Sequence, residues 1–144
     1  MFDFFESKEA KRKKSHIKNL VALAKLDGHV TKEELSFLLK IGDRNGVKND
    51  DVKKMILRTT TVKVTKPAND SDRFDYIYDL IEMTLVDGVM DEDEIDYCVD
   101  MSAKLGFRPA ISGVLVRKIA VDIMEGLAKE DIRSRVESFL TFKK

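Results

Sequence analysis

The sequence predicts an all-α fold of about seven helices in a compact bundle, made of two pseudo-two-fold-related helix–Asp-Gly–helix repeats. Three observations predict it. Apolar residues recur at three- and four-residue spacing along most of the chain, in a background rich in Leu, Ile, Lys and Glu. Only two prolines, Pro67 and Pro109, interrupt the pattern, and glycines fall where the periodic runs end. Residues 26–35 also match residues 86–95 without a gap.

Helix 1 is predicted from about Lys8 to Leu26, because Ile17, Leu20, Val21 and Ala24 share one face while Lys11, Arg12, Lys13 and Lys14 face solvent. Helix 2 spans Lys32 to about Arg44 and buries Leu35, Leu38, Leu39 and Ile41, with Asn45-Gly46 ending it. Helix 3 is short, from about Asp50 to Arg58, with Val52, Met55 and Ile56 inward. The stretch Thr59 to Asp70 breaks the period with β-branched residues, Pro67 and Asn69, and reads as the connection between halves, with room for a short extended piece.

Helix 4 is expected after a Ser71 cap, with Phe74, Ile77, Ile81 and Leu85 as its core stripe. Helix 5 runs from Glu92 to about Leu105, where Gly106 stops it. Helix 6, about Ala110 to Leu127, is apolar over most of its circumference and is assigned to the centre of the bundle. Helix 7 covers one side with Ile132, Val136, Phe139 and Leu140. Residues 1–144 thus read as one domain, with repeat halves at about 14–58 and 71–107 and helices 6 and 7 at about 110–141.

Composition removes several function classes. The 26 basic and 26 acidic residues cancel, so no global field draws the chain to nucleic acid or an anionic membrane; no nucleic-acid partner is expected, and a membrane surface is disfavoured. Phe2, Phe4 and Phe5 precede the basic run Lys11 to Lys14, but Asp3, Glu6 and Glu9 offset most of that charge, and packing of the phenylalanines on the bundle is the simpler reading. The single cysteine, Cys98, cannot form an internal bridge, no secretory signal is read at the start, and no apolar run approaches the roughly 20 residues of a membrane span, so the cytoplasm is the expected compartment.

The repeat extends beyond the turns. Laying Leu26-Asp27-Gly28-His29-Val30-Thr31-Lys32-Glu33-Glu34-Leu35 over Val86-Asp87-Gly88-Val89-Met90-Asp91-Glu92-Asp93-Glu94-Ile95 fixes an offset of 60, which also pairs Phe37 with Tyr97, Leu39 with Val99, Ile41 with Met101, Arg44 with Lys104, Gly46 with Gly106 and Val47 with Phe107. A gapless register of this length is the signature of internal duplication.

With Ala24-Lys25-Leu26-Asp27-Gly28-His29-Val30-Thr31-Lys32-Glu33-Glu34 and its echo around Asp87-Gly88, the chain from about Lys14 onward resembles the TerB-like family of tellurite-resistance proteins. That family includes the N-terminal domain of certain membrane-anchored DnaJ-type co-chaperones. The resemblance implies seven helices, with acidic residues of the two halves gathered on one surface where divalent metal is held. It implies no established enzyme activity.

The acidic turns admit two readings. In the first they are caps: Gly28 and Gly88 take the left-handed conformation, Thr31 and Asp91 are N-caps with Glu34 and Glu94 three residues on, and Val30/Leu35 and Met90/Ile95 are hydrophobic staples. Asp27 and Asp87 are left over, at a helix C-terminal end where a carboxylate opposes the dipole by about 0.3–1 kcal/mol. In the second reading Asp27, Glu34, Asp87 and Glu94 share a divalent cation, with calcium, magnesium or manganese suiting these hard oxygen donors.

A calcium-binding EF-hand loop is not supported, because its early ligand positions would fall on Leu23 and Lys25, and on Met83 and Leu85. Asp87 to Asp100 carries seven acids and no Lys or Arg, whereas Asp27 to Lys40 carries three acids and two lysines, so the second half is the more negative.

Cys98 reads as a buried structural thiol, and His16 and His29 as lone histidines that are not metal ligands. No nucleophile elbow, phosphate-binding glycine loop or dinucleotide fingerprint is present. The expectation is a non-enzymatic interaction or scaffolding domain with protein partners. The alternatives are a metal-sensing stress-response protein and, behind it, a small metal-dependent hydrolase.

Overall fold

The computed structural model describes residues 7–26, 28–58, 67, 69–86, 88 and 90–142, the side chains of 139–142 apart. Seven helices make up its regular structure: α1 (Lys8–Ala24), α2 (Lys32–Arg44), α3 (Asn49–Arg58), α4 (Asp70–Thr84), α5 (Glu92–Leu105), α6 (Pro109–Met124) and α7 (Lys129–Phe142). There is no strand among the described residues. The packing follows chain order within each half: α1, α2 and α3 contact one another, and α4, α5 and α6 do the same. Contact between α1 and α4 joins the two sets, and α7 lies on α6.

Local signals set the helix ends. Ser7, Thr31, Asn69 and Asp91 each accept an N–H from three residues on, which satisfies a donor that the first turn leaves without an intrahelical partner. The α4 cap is therefore Asn69 rather than Ser71, which lies inside the helix. The first helix of each half ends sooner than its periodicity suggests, at Ala24 and Thr84, and the positive φ of Gly28 (96°) and Gly88 (90°) belongs to the turn beyond. Gly46 and Gly106 do close α2 and α5 in the left-handed region, with Val47 N–H reaching back to Gly42 O (2.8 Å) and Phe107 N–H to Ser102 O (3.1 Å).

The centre of the bundle is α4, not α6. Nine of the fifteen α4 residues are buried, including Phe74, Ile77, Leu80, Ile81 and Met83, and the helix touches α1, α5 and α6. The α6 helix buries Leu115, Val116, Ile119 and Ala120 on one side and leaves Val114, Val121 and Met124 58%, 45% and 61% exposed on the other. Its all-round apolar pattern combines a core face with an uncovered one.

Burial recurs at the sequence offset of 60, and so do some element bounds, with α2 and α5 opening at Lys32 and Glu92 and α1 and α4 ending at Ala24 and Thr84. The pairs Ile17/Ile77, Leu20/Leu80, Val21/Ile81, Leu23/Met83, Leu38/Cys98, Ile41/Met101 and Val47/Phe107 are buried in both halves. Asn49 and Pro109 open α3 and α6 at matching positions. The connecting stretch 59–66 and the N-terminal phenylalanines lie outside the described residues, as do the side chains of Phe139 and Leu140.

Candidate functional site

Both acidic turns form the caps that their sequence predicts. Thr31 Oγ1 accepts from Glu34 N–H (3.1 Å) while Glu34 Oε1 accepts from Thr31 N–H (2.9 Å). In the second half Asp91 Oδ1 accepts from Glu94 N–H (2.9 Å) and Glu94 Oε1 from Asp91 N–H (3.1 Å). These are reciprocal capping boxes. Glu34 is buried and Glu94 half-buried, and one oxygen of each carboxylate is committed to its own backbone.

Asp27 and Asp87, the other two members of the expected cation site, lie outside the described residues. Among the described residues no group of three or more His, Cys, Asp or Glu is arranged to hold a metal ion. Four carboxylates are hard donors suited to calcium, magnesium or manganese, but Glu34 and Glu94 alone do not make a site. Asp27 and Asp87 would have to complete it.

A second polar constellation was not legible in the sequence. His16 of α1 and Asp79 of α4 are 3% and 1% exposed, and His16 Nε2 lies 2.9 Å from Asp79 Oδ2. An ionised carboxylate only accepts, so Nε2 carries the shared proton. Arg44, from the end of α2, donates to the same oxygen at 2.6 Å. The His16 ring lies flat on Tyr76, with centroids 4.1 Å apart and planes 7° from parallel. Burial acts to raise the Asp79 pKa, but the hydrogen bonds and charges of His16 and Arg44 prevail and hold it below the ordinary carboxylate value.

Arg44 and Asp79, but not His16, line a cleft of about 230 Å³, whose rim includes Lys13, Asp72, Tyr76, Lys129 and Arg133. The rim is largely neutralised by its own pairs: Lys129 and Arg133 meet Asp75 at 3.1 and 2.7 Å, and Lys13 reaches Glu9 at 3.8 Å. One His16 nitrogen is taken by Asp79 and the other, Nδ1, is buried with no hydrogen-bond partner among the described residues, so neither is presented to the cleft as a base. The triad ties α1, α2 and α4 together, and loss of one member would leave the others without their partner.

The remaining candidates resolve in the same direction. Cys98 is fully buried, and burial pushes its thiol far above the ordinary range, so it is an inert core residue. His29 is exposed in the first turn. Asn19, which the offset of 60 places opposite Asp79, is also buried, and its side-chain oxygen accepts from the Tyr97 hydroxyl of α5.

No helix among the described residues is long and apolar enough to cross a membrane. No protein-family model, curated protein or solved structure matches the chain.

Proposed function

We propose that the chain is a non-enzymatic, TerB-like interaction or scaffolding domain, and that it docks partner protein through the outer face of α6. The observation that carries this is the uncovered apolar strip on that helix. Val114 and Val121 are two turns apart, Met124 follows one turn later, and all three are about half exposed. Single exposed apolar residues need no explanation, but three spread over about 15 Å of one helix face, with a cation among them, fit a docking surface. Arg117 sits within the strip, and among the described residues its guanidinium donates to Gly113 O at 3.3 Å. A complementary partner offers an amphipathic helix with apolar residues and one carboxylate.

Duplication of a helix–Asp-Gly–helix unit about a pseudo-two-fold axis is part of the same reading. It is supported by the starts of α2 and α5 and of α3 and α6, by burial that repeats at 60 residues, and by the contact of His16 with Tyr76, which the same offset pairs. The family resemblance rests on Ala24 to Glu34 and its echo around Asp87-Gly88, in a helical chain of matching length.

The test is quantitative capture from the extract of the source cells, comparing the wild-type chain with a Val114→Asp, Val121→Asp variant of unchanged helicity. Proteins retained by the wild type and lost by the variant support the docking face. Identical sets overturn it.

A second reading, in which a divalent cation bound at Asp27, Glu34, Asp87 and Glu94 is itself the signal, is favoured by the equivalent capping boxes that hold Glu34 and Glu94. It makes the chain a metal-sensing stress-response protein, and its test is the cation-specific thermal shift described below.

A further inference from the structure

The chain is neutral overall, but its charge is separated by helix. Six cations and one acid lie on α1, while five acids and one lysine lie on α5. On α1, Lys8, Lys11 and Lys18 are exposed, and on α5 so are Asp93, Asp96 and Asp100. Lys11 and Lys18 stand seven residues apart, as do Asp93 and Asp100, so each pair shares a helix face with its charges about 10.5 Å apart. Within the chain the two stripes do not neutralise each other. Asp100 is paired with Lys104 of its own helix at 3.1 Å, and Lys8, Lys11, Lys18, Asp93 and Asp96 make no ion pair among the described residues.

We propose that these stripes recognise each other between molecules, the basic face of α1 on one copy docking against the acidic face of α5 on the next. This goes beyond the α6 docking face, which it does not use. A second copy is the occupant that the charges favour, because it satisfies both stripes at once and matches them in sign and pitch. A polyanion such as nucleic acid or an anionic bilayer would satisfy only α1, on a chain whose net charge is zero. The contact sets α1 of one copy on α5 of the other, so it closes as a two-fold dimer where both contacts form together and otherwise builds head-to-tail chains or a ring. Exposed ion pairs are individually weak and screened by salt, so association is concentration-dependent and suppressed at high ionic strength.

Sedimentation velocity of the full chain tests this between about 20 mM and about 300 mM salt, over which the Debye length falls from about 20 Å to about 6 Å. At low salt the weight-average mass should climb above the monomer's 16.5 kDa as concentration rises, and at high salt it should not. A Lys11→Glu, Lys18→Glu variant and an Asp93→Lys, Asp96→Lys variant should each remain monomeric at low salt, with melting transitions confirming that both are folded. Their equimolar mixture should associate again, since the basic α1 of the second then faces the acidic α5 of the first. A wild type that is monomeric at low salt overturns the proposal. So does association that survives either reversal, or a mixture that stays monomeric. Binding of the monomeric wild type to phosphatidylserine vesicles, lost with Lys11→Glu, Lys18→Glu, would assign α1 to a membrane surface instead.

Discussion

His16 and Tyr76 lie ring on ring, 4.1 Å apart and 7° from parallel, at positions that the sequence offset of 60 pairs. Equivalent residues of a two-fold pair meet on its axis, so this contact supports the proposed duplication. The same ring also takes part in the buried triad, and the two roles can be separated. His16→Phe keeps a flat ring on Tyr76 and removes the hydrogen bond to Asp79, at an expected cost of about 1–3 kcal/mol. Asp79→Ala removes the acceptor that both His16 and Arg44 use and is expected to cost more, about 3–5 kcal/mol. Urea unfolding at neutral pH measures both, and equal small losses would show that the triad contributes little.

The pH dependence of stability has two components of opposite sign. Asp79 titrates below the ordinary 3.8 when folded, so its contribution is complete above that value and is lost as pH falls through the folded pKa. Glu82 is raised above 4.5, first by burial and then by the Asp79 charge, so ionising it costs stability as pH rises from 4.5 through its folded pKa. Asp79→Asn should therefore flatten the acid limb of the urea midpoint against pH. Glu82→Gln should remove a decline above pH 4.5. An unchanged profile in both variants would contradict the assignment.

The capping boxes give a third prediction. Thr31→Ala and Asp91→Ala each remove the side-chain acceptor for the N–H three residues on, and each should cost about 1 kcal/mol. The two boxes lie at the starts of different helices, α2 and α5, so the double variant should lose close to the sum of the two. A loss of several kcal/mol at either turn would mean that the box supports more than its own helix end.

For the cation reading, linkage requires that an ion bound only by the folded state raise the melting temperature as its concentration passes the dissociation constant. Millimolar calcium, magnesium or manganese should then stabilise the chain more than sodium at equal ionic strength. Asp27→Asn with Asp87→Asn should abolish the difference. No cation-specific shift in the wild type would leave Glu34 and Glu94 as helix caps only.

Much of the fold was legible because it is written locally. Thr31 with Glu34, and Asp91 with Glu94, mark the starts of α2 and α5 through contacts three residues apart, and Gly46 and Gly106 mark their ends. The triad was not legible, since His16, Arg44 and Asp79 come from three helices and nothing at any one position announces the others. One signal did exist. Carried upstream, the offset of 60 sets His16 against Tyr76 and Asn19 against Asp79, polar or polar-tipped residues at interior positions of otherwise apolar stripes. The expected place of α6 at the centre differs from the structure for the opposite reason: Val114, Val121 and Met124 are apolar without being buried, and periodicity cannot distinguish a core face from an exposed apolar one.

Docking through the outer face of α6 can be read out by site-specific crosslinking. A photoreactive phenylalanine analogue placed at Val121, with a control at exposed Ser134 on α7, can be irradiated in the extract of the source cells. A discrete crosslinked species should form from position 121, be weak or absent from position 134, and be lost when Val114→Asp is added. Indistinguishable patterns from the two positions, unaffected by Val114→Asp, would contradict docking through α6.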